Sequence, residues 1–341
     1  MAPAHRGRSP GGVIPSCRPV AVAVAVAVTA AALAGCDLAV EAGVNSLHSI
    51  QGLSSALLAP RLPALRATLL PRNRVWVSTF AFEAGATPLS SPAAPVAAIM
   101  LYGAAIAAAK AFVSRRGAPL DQELRIVVVA HDLALSTWSA LLFAGLALTL
   151  ALAFSRVGLF VVYCDPHPHR LSLSSPHPLV AFYYLNYLTK YYELLDTVLL
   201  ALRGRPTPAL HVFHHAATLV LCYTQLLDDT AVQWAPILLN LGVHVVMYAY
   251  YAAMTMGISI SWKRRLTVAQ IAQFAIDVPC CACSLALRIN AERNWGWLRG
   301  ANTWCRGTLR AGVWGTSLLA VYLCLFVDLH RRTAKRKAKA A

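Results

Sequence analysis

Long apolar runs separated by short polar connections dominate the chain after its first quarter. A helix that crosses a bilayer needs about 20 apolar residues, and seven runs approach that length. In chain order they are residues 95–113, 126–154, 179–202, 209–227, 232–256, 266–287 and 312–329. The pattern predicts an all-α membrane protein, a bundle of about seven transmembrane helices. The third, fourth and fifth must be antiparallel neighbours because their connections are very short.

The first 94 residues follow a different pattern. Three arginines precede an Ala/Val-rich run at 21–35, an order typical of a signal peptide or signal anchor. Residues 37–94 carry scattered prolines and serines without sustained periodicity. We therefore expect 1–94 to be a poorly ordered extension with a signal-anchor-like run, followed by the seven-span domain at 95–330 and a basic tail at 331–341.

Polar side chains recur at helical spacing on four consecutive spans. Positions three or four apart share one face of a helix. The four stripes are Lys190, Glu193, Asp196 and Thr197 on the third span, His211, His214, His215 and Thr218 on the fourth, Asn240, His244, Tyr248 and Tyr251 on the fifth, and Thr267, Gln270, Gln273 and Asp277 on the sixth. Taken singly, many could be packing residues that tie helices together. Because ionisable groups within a membrane face the bundle interior, the four stripes together predict one polar chamber, a buried active site.

Composition supports the membrane class and gives an orientation. The 341 residues are 58% hydrophobic and 13% charged, with a formal net charge of +16 and a mean hydropathy of +0.56. The basic residues cluster between spans and in the tail, as in cytoplasmic loops. No zinc-finger spacing or basic-aromatic platform indicates a nucleic-acid partner. The loops after the first, third and fifth spans and the tail share one side, so we expect a cytoplasmic C-terminus.

The opposite side contains one conflict and one possible cross-link. Asp228 and Asp229 fit a lumenal loop, but the connection between the sixth and seventh spans carries five arginines, which the charge rule does not explain. Cys164 and Cys305 also fall on this side and could form a disulfide, although the sequence does not determine whether they do.

The histidine-rich stripe allows several chemistries. A buried imidazole acts as a metal ligand, a general base or a nucleophile. One His-x-x-His-His box, with His244 and two carboxylates, could hold a single metal in a membrane lipid oxidase or hydrolase. Without a metal, an imidazole could attack a thioester and form an acyl-imidazole, which a dry chamber would protect from hydrolysis. Lys190, Glu193 and Asp196 would then fix the histidine tautomers. A lipid transporter lined by the stripes is the third alternative.

Four spaced blocks carry a family resemblance. They are Lys190-x-x-Glu193-x-x-Asp196-Thr197, His211-Val-Phe-His214-His215, His244-Val-Val-Met247-Tyr248 and Thr267-x-x-Gln270-x-x-Gln273-Phe274. In this order they resemble the ELO family of very-long-chain fatty acid elongases, most closely its fungal members. The resemblance covers residues 95–330 and excludes the extension.

The resemblance implies an ELO-type seven-span catalytic domain that encloses a substrate tunnel in the endoplasmic reticulum membrane. The implied activity is that of a very-long-chain 3-oxoacyl-CoA synthase, which condenses a long-chain acyl-CoA with malonyl-CoA and releases CO2 and CoA. It implies no metal and no other cofactor. The implied partners are membrane lipid and the reductases and dehydratase of the elongation cycle, and the implied pathway supplies sphingolipids. A homo-oligomer and the acyl-chain preference stay open.

The resemblance also implies roles for the polar residues. His214 would be the nucleophile and His244 would lie close to the same substrate. The supporting and substrate-binding residues would be His211, His215, Lys190, Glu193, Asp196, Asn240, Tyr248, Gln270 and Gln273. One departure concerns the second span, where family members usually have His-Asn and this chain has His131-Asp132. The role of His131 is therefore open.

Overall fold

Helices account for all regular structure in the part of the chain that the structure describes. The structure, a computed structural model, describes residues 80–165, 178–293 and 304–340. The helices are α1 (Ala93–Arg116), α2 (Arg125–Val157), α3 (Leu159–Cys164), α4 (Pro178–Leu202), α5 (Ala209–Leu227), α6 (Trp234–Thr255), α7 (Lys263–Arg293) and α8 (Leu309–Ala340), with a 3-10 turn at Ala231–Gln233 before α6. The predicted signal-anchor-like run and most of the extension lie outside the described residues.

Each of the seven predicted apolar runs is a helix, with differences at the ends. The short helix α3 was not predicted; it follows α2 at Gly158, whose φ of 82° breaks the helical path. The last helix also continues past its apolar part to Ala340. The predicted basic tail is thus helical over nearly all its length.

Five helices among the described residues are long and apolar enough to cross a bilayer. They are α1, α2, α6 with its preceding 3-10 turn, α7, and α8 as far as Lys335. The chain is therefore a multi-pass membrane protein, as predicted. Helices α4 and α5 do not meet that criterion, and these two carry the charged stripe and the three histidines. The count of seven spans stays a prediction.

The outer surface of the bundle is apolar. On α1, Met100 and Leu101 expose 71% and 70% of their surface, and Ile126 of α2 exposes 82%. Such side chains would be unfavourable in water and suit a lipid surface. Inside, α2 packs along α6, α7 along α8, and α4 against α1 and α5. The polar faces of α4 to α7 consequently point inward.

The basic connections meet at one end of the bundle, which we call the basic end. The Asp121 carboxylate, between α1 and α2, accepts hydrogen bonds of 2.8 Å each from Arg203 and Arg205, between α4 and α5. Arg125 donates to the Met256 carbonyl, just after α6, at 2.9 Å. Three connections predicted to share a side therefore touch one another.

The other end carries a covalent link, and we call it the disulfide end. Cys164, at the end of α3, and Cys305, before α8, form a disulfide between positions 141 residues apart in the sequence. Both cysteines are almost fully buried. The sequence left this pairing open, and the structure establishes it.

The disulfide end also accounts for two of the arginines that conflicted with the charge rule. Arg306 forms ion pairs with Asp165, at 2.9 Å, and with Asp229. Arg310 pairs with Asp228 at 2.6 Å. The charge rule counts Lys and Arg by loop and cannot foresee that acidic residues from distant connections neutralise them.

Candidate active site

Asp196 of α4 connects three helices on one side of the chamber. Its Oδ1 accepts a hydrogen bond from Nε2 of His131, on α2, at 2.5 Å. Its Oδ2 accepts one from the Tyr248 hydroxyl, on α6, at 2.7 Å. His215 of α5 places its Nε2 3.7 Å from the same Oδ2. A carboxylate accepts but does not donate, so His131 and Tyr248 must both donate to it.

Lys190 begins a second connected set of polar groups, nearly two turns earlier on α4 than Asp196. Its ammonium donates to Glu193 Oε1 at 2.9 Å and to Asn240 Oδ1 at 2.8 Å. Lys190 and Glu193 are each 2% exposed. The carboxylate therefore has its counter-charge one turn away on the same helix, and the pair also fixes a side chain on α6.

This arrangement determines the tautomer of His244. Because Lys190 can only donate, it must face the oxygen of the Asn240 amide, which leaves the amide nitrogen as a donor. That nitrogen lies 3.1 Å from Nε2 of His244, so Nε2 accepts the bond. The proton of neutral His244 is then on Nδ1, which lies 3.3 Å from Glu193 Oε1. Lys190 and Asn240 therefore hold His244 in one tautomer, with the Glu193 carboxylate beside its Nδ1.

The three histidines of α5 line one chamber with His244. This chamber has a volume of about 260 Å³ and also contacts Asn240, Gln270, Gln273 and Asp196. His211 Nε2 and His214 Nδ1 are buried without a hydrogen-bond partner among the described residues. Buried polar atoms usually have a partner, so these two nitrogens are candidates for contact with a bound molecule.

Two smaller cavities lie beyond the chamber, the first adjoining the chamber and the second adjoining the first. The first, which we call the middle cavity, has a volume of about 70 Å³ and shares His214, Asn240 and Gln273 with the chamber. The second, the end cavity, has a volume of about 30 Å³ and reaches Cys305 at the disulfide end. The chamber itself reaches Lys263 at the basic end. Together the three spaces form an interrupted tunnel along the bundle, with His214 between the chamber and the middle cavity.

The other predicted site residues do not all lie on the chamber. Gln270 donates to the Met247 sulfur, and Gln273 donates to Asp277 Oδ2, each at 3.4 Å. Tyr248, predicted to contact substrate or close the chamber, is 1% exposed and lies behind Asp196. Thr197 does not join the cluster, because its hydroxyl bonds to Tyr102 of α1, at 2.6 Å.

Two residues join the site that the stripes did not include. His131, whose role was open, is hydrogen-bonded to Asp196. The sequence signal that could have identified it is an ionisable side chain within an apolar span, since such groups face the bundle interior. Tyr322 of α8 lies against the His214 ring, with centroids 4.7 Å apart, and donates to the His214 carbonyl at 3.2 Å. No spacing on α8 pointed to Tyr322, since a single tyrosine in an apolar helix forms no stripe.

Asp196, His211 and His215 form the one group of potential metal ligands among the described residues. Both Asp196 oxygens already accept short hydrogen bonds, from His131 and Tyr248. Each carboxylate oxygen keeps a further lone pair, so a cation at this position would be held by Asp196 together with His211 and His215.

Comparison with known proteins identifies the family of the chain. The model of the ELO family, described as the GNS1/SUR4 family, matches residues 87–341. "Putative fatty acid elongase 1" of Schizosaccharomyces pombe is 39% identical over 263 residues, covering 77% of this chain and 75% of its own. "Fatty acid elongase A" of Dictyostelium discoideum is 29% identical, covering 77% of this chain and 90% of its own. The chain therefore belongs to the ELO (GNS1/SUR4) family.

Proposed function

We propose that this protein is a fatty acid elongase that condenses an acyl-CoA with malonyl-CoA to form a 3-oxoacyl-CoA. The observation that carries the proposal is the position of His214, which lines both the chamber and the middle cavity. A thioester carbonyl beside His214 would have its acyl chain in the middle cavity and its CoA in the chamber. Relatives named fatty acid elongases support the same reading.

In the first step an imidazole nitrogen of His214 attacks the thioester carbonyl. A C–N bond forms, the C–S bond breaks, and CoA leaves as a thiolate that takes the proton released by the other imidazole nitrogen. The attack requires a neutral imidazole with a free electron pair, and His214 is suited to it because its buried Nδ1 has no hydrogen-bond partner among the described residues. The product is an acyl-imidazole in a space shielded from water.

In the second step malonyl-CoA occupies the chamber and loses CO2. The electron pair of the broken C–C bond forms an enolate, which attacks the acyl-imidazole carbonyl. A new C–C bond forms, the C–N bond breaks, and the electron pair returns to His214, whose imidazole takes up a proton from solvent as the products leave. His244 is then a positioning residue, because its Nε2 already accepts a bond from Asn240 and is not available as a base.

Neither step requires a metal or a redox cofactor. We further propose the endoplasmic reticulum membrane as the location, with the basic end and the C-terminus in the cytoplasm. A reductase and a dehydratase would then act on the product, and very-long-chain acyl groups for sphingolipids are the proposed output.

The test is release of CO2 by the purified full-length protein. Given acyl-CoA and carboxyl-labelled malonyl-CoA, the protein is expected to release labelled CO2 and to form 3-oxoacyl-CoA without added metal, with chelator having no effect. The His214→Ala variant is expected to lose this activity. Activity that depends on stoichiometric iron or zinc would instead indicate a metal-dependent lipid enzyme. Lipid transport without any turnover would indicate a transporter.

A further inference from the structure

The apolar part of the tunnel ends before the disulfide end of the bundle. Most of the wall surface of the middle cavity is apolar, with Leu221, Ile237 and Leu319 among its lining residues, although polar residues such as Lys190 and Asn186 also line it. The end cavity has a different lining, which includes Thr230, Ser284, Arg288 and Thr316. An acyl chain extending from His214 would therefore pass from a largely apolar space to a more polar one.

The end cavity is suited to water. Its volume of about 30 Å³ exceeds the roughly 10–15 Å³ that one water molecule needs. The hydroxyls of Thr230 and Thr316 are buried there without a hydrogen-bond partner among the described residues. A methyl end entering this space would displace water that satisfies those hydroxyls, which is unfavourable. The end cavity thus opposes further extension of an apolar chain.

Gln225 stands between these two spaces. It lies in the last turn of α5, eleven residues after His214 and about 16 Å further along the helix axis. Its side chain lines both cavities, and its Nε2 donates to the Ala311 carbonyl of α8 at 3.1 Å. The amide is therefore fixed across the gap between α5 and α8.

Gly315 of α8 makes room for this amide. It lines the same two cavities, and a Cβ at this position would lie 3.3 Å from Gln225 Nε2. A larger side chain at 315 would project into the space that Gln225 and the cavities share. Val232 and Cys281 also line both cavities, and Gln225 and Gly315 are the pair that lie against each other across α5 and α8.

We propose that Gln225 closes the acyl tunnel and sets the longest acyl chain that the enzyme accepts. The proposal rests on the proposed elongase function, because it assumes that the chain bound at His214 runs through the middle cavity. Shortening residue 225 would join the middle and end cavities, and enlarging residue 315 would fill the boundary. The two changes should move the limit in opposite directions.

The experiment measures CO2 release by the full-length protein with a series of saturated acyl-CoAs that increase by two carbons. The wild-type rate should fall at a limiting chain length. Gln225→Ala should raise that limit by at least one two-carbon step, Gln225→Asn by the same or less, and Gly315→Leu should lower it. Rates with the shortest accepted substrate should stay within about threefold of wild type.

Thr224→Ala is the matched control, since Thr224 is in the same turn but bonds to the Leu221 carbonyl at 2.9 Å. This variant should keep the wild-type limit. If Gln225→Ala fails to fold, Gln225→Asn and Gly315→Leu decide the question. An unchanged limit in the active variants, or a shift in the same direction at 225 and 315, overturns the proposal. Absence of CO2 release from the wild-type protein with every substrate would instead overturn the elongase function.

Discussion

At the scale of single residues, the site depends on buried charges that compensate one another. The Lys190 and Glu193 side chains are 2% and 3% exposed, and they share a hydrogen bond of 2.9 Å. Such a pair contributes little net stability compared with apolar residues, but removal of one partner leaves a buried charge without compensation. In the structure, this pair orients Asn240 and, through Asn240, His244.

We expect Lys190→Met to destabilise the protein by about 3–5 kcal/mol, because Glu193 would keep a buried charge without its cation. The double variant Lys190→Met, Glu193→Leu should recover most of that stability. It should remain inactive, since neither new side chain can hold Asn240 and, through it, His244. Thermal unfolding in detergent and CO2 release check the two parts. A double variant less stable than the single one would contradict the explanation.

Sequence reasoning located most residues of the chamber because helical spacing reports which side chains share a face. It grouped His211, His214, His215 and His244, and the structure places all four on one cavity. It could not find Tyr322, whose place beside His214 depends on how α8 packs against α5. The tautomer of His244 was equally out of reach, since it follows from distances between three helices.

At the scale of helices, the apolar pattern predicted which segments form helices better than it predicted where each helix ends. The bounds of α5 agree with the predicted 209–227 at both ends. Helix α7 begins three residues early and ends six residues late, because its polar termini continue the helix beyond the apolar run. Hydropathy marks where a helix can meet lipid, whereas backbone hydrogen bonds determine where it ends.

The connections at the basic end provide a pH-dependent test. Hydrogen bonds from Arg205, and then from Arg203, lower the pKa of Asp121 below its ordinary value. A lowered pKa means that the stabilisation is present above the unfolded pKa of about 4 and is lost as the pH falls through the folded value. Asp121→Asn should therefore lower stability at neutral pH, by no more than about 1 kcal/mol because the site is partly exposed.

The difference in melting temperature between wild type and Asp121→Asn should shrink on acidification toward about pH 3, where the carboxylate is protonated. The matched control is Glu123→Gln, since Glu123 pairs with Arg116 instead and leaves the contacts of Asp121 intact. A difference for Asp121→Asn that grows as the pH falls would contradict the assignment.

At the scale of the whole molecule, the disulfide joins connections that are far apart in the chain. Cys164 and Cys305 close a loop of 141 residues that includes α4 to α7. Cross-links that close long loops restrict the unfolded chain and typically stabilise by about 2–4 kcal/mol. Cys164→Ser with Cys305→Ser should accordingly lower the melting temperature. Reductant should lower the melting temperature of the wild type more than the melting temperature of the variant. Equal effects on both proteins would contradict a stabilising role for this disulfide.

The two ends of the molecule differ in a way that the sequence only partly predicted. The basic connections do gather at one end, as their charge indicated. The tunnel leads from there, past His214, to the boundary at Gln225. Its interruptions depend on side chains from helices that are distant in sequence, so no single stretch of sequence could reveal them.

The central claim is that His214 carries the acyl group between the two half-reactions. The most direct measurement is mass spectrometry of the purified protein incubated with acyl-CoA alone, followed by digestion and fragmentation of the peptide that contains His211, His214 and His215. We expect an added acyl mass on His214, and we expect it to disappear when malonyl-CoA is supplied. Normal turnover by His214→Ala, or an acyl group on a different residue, would contradict it.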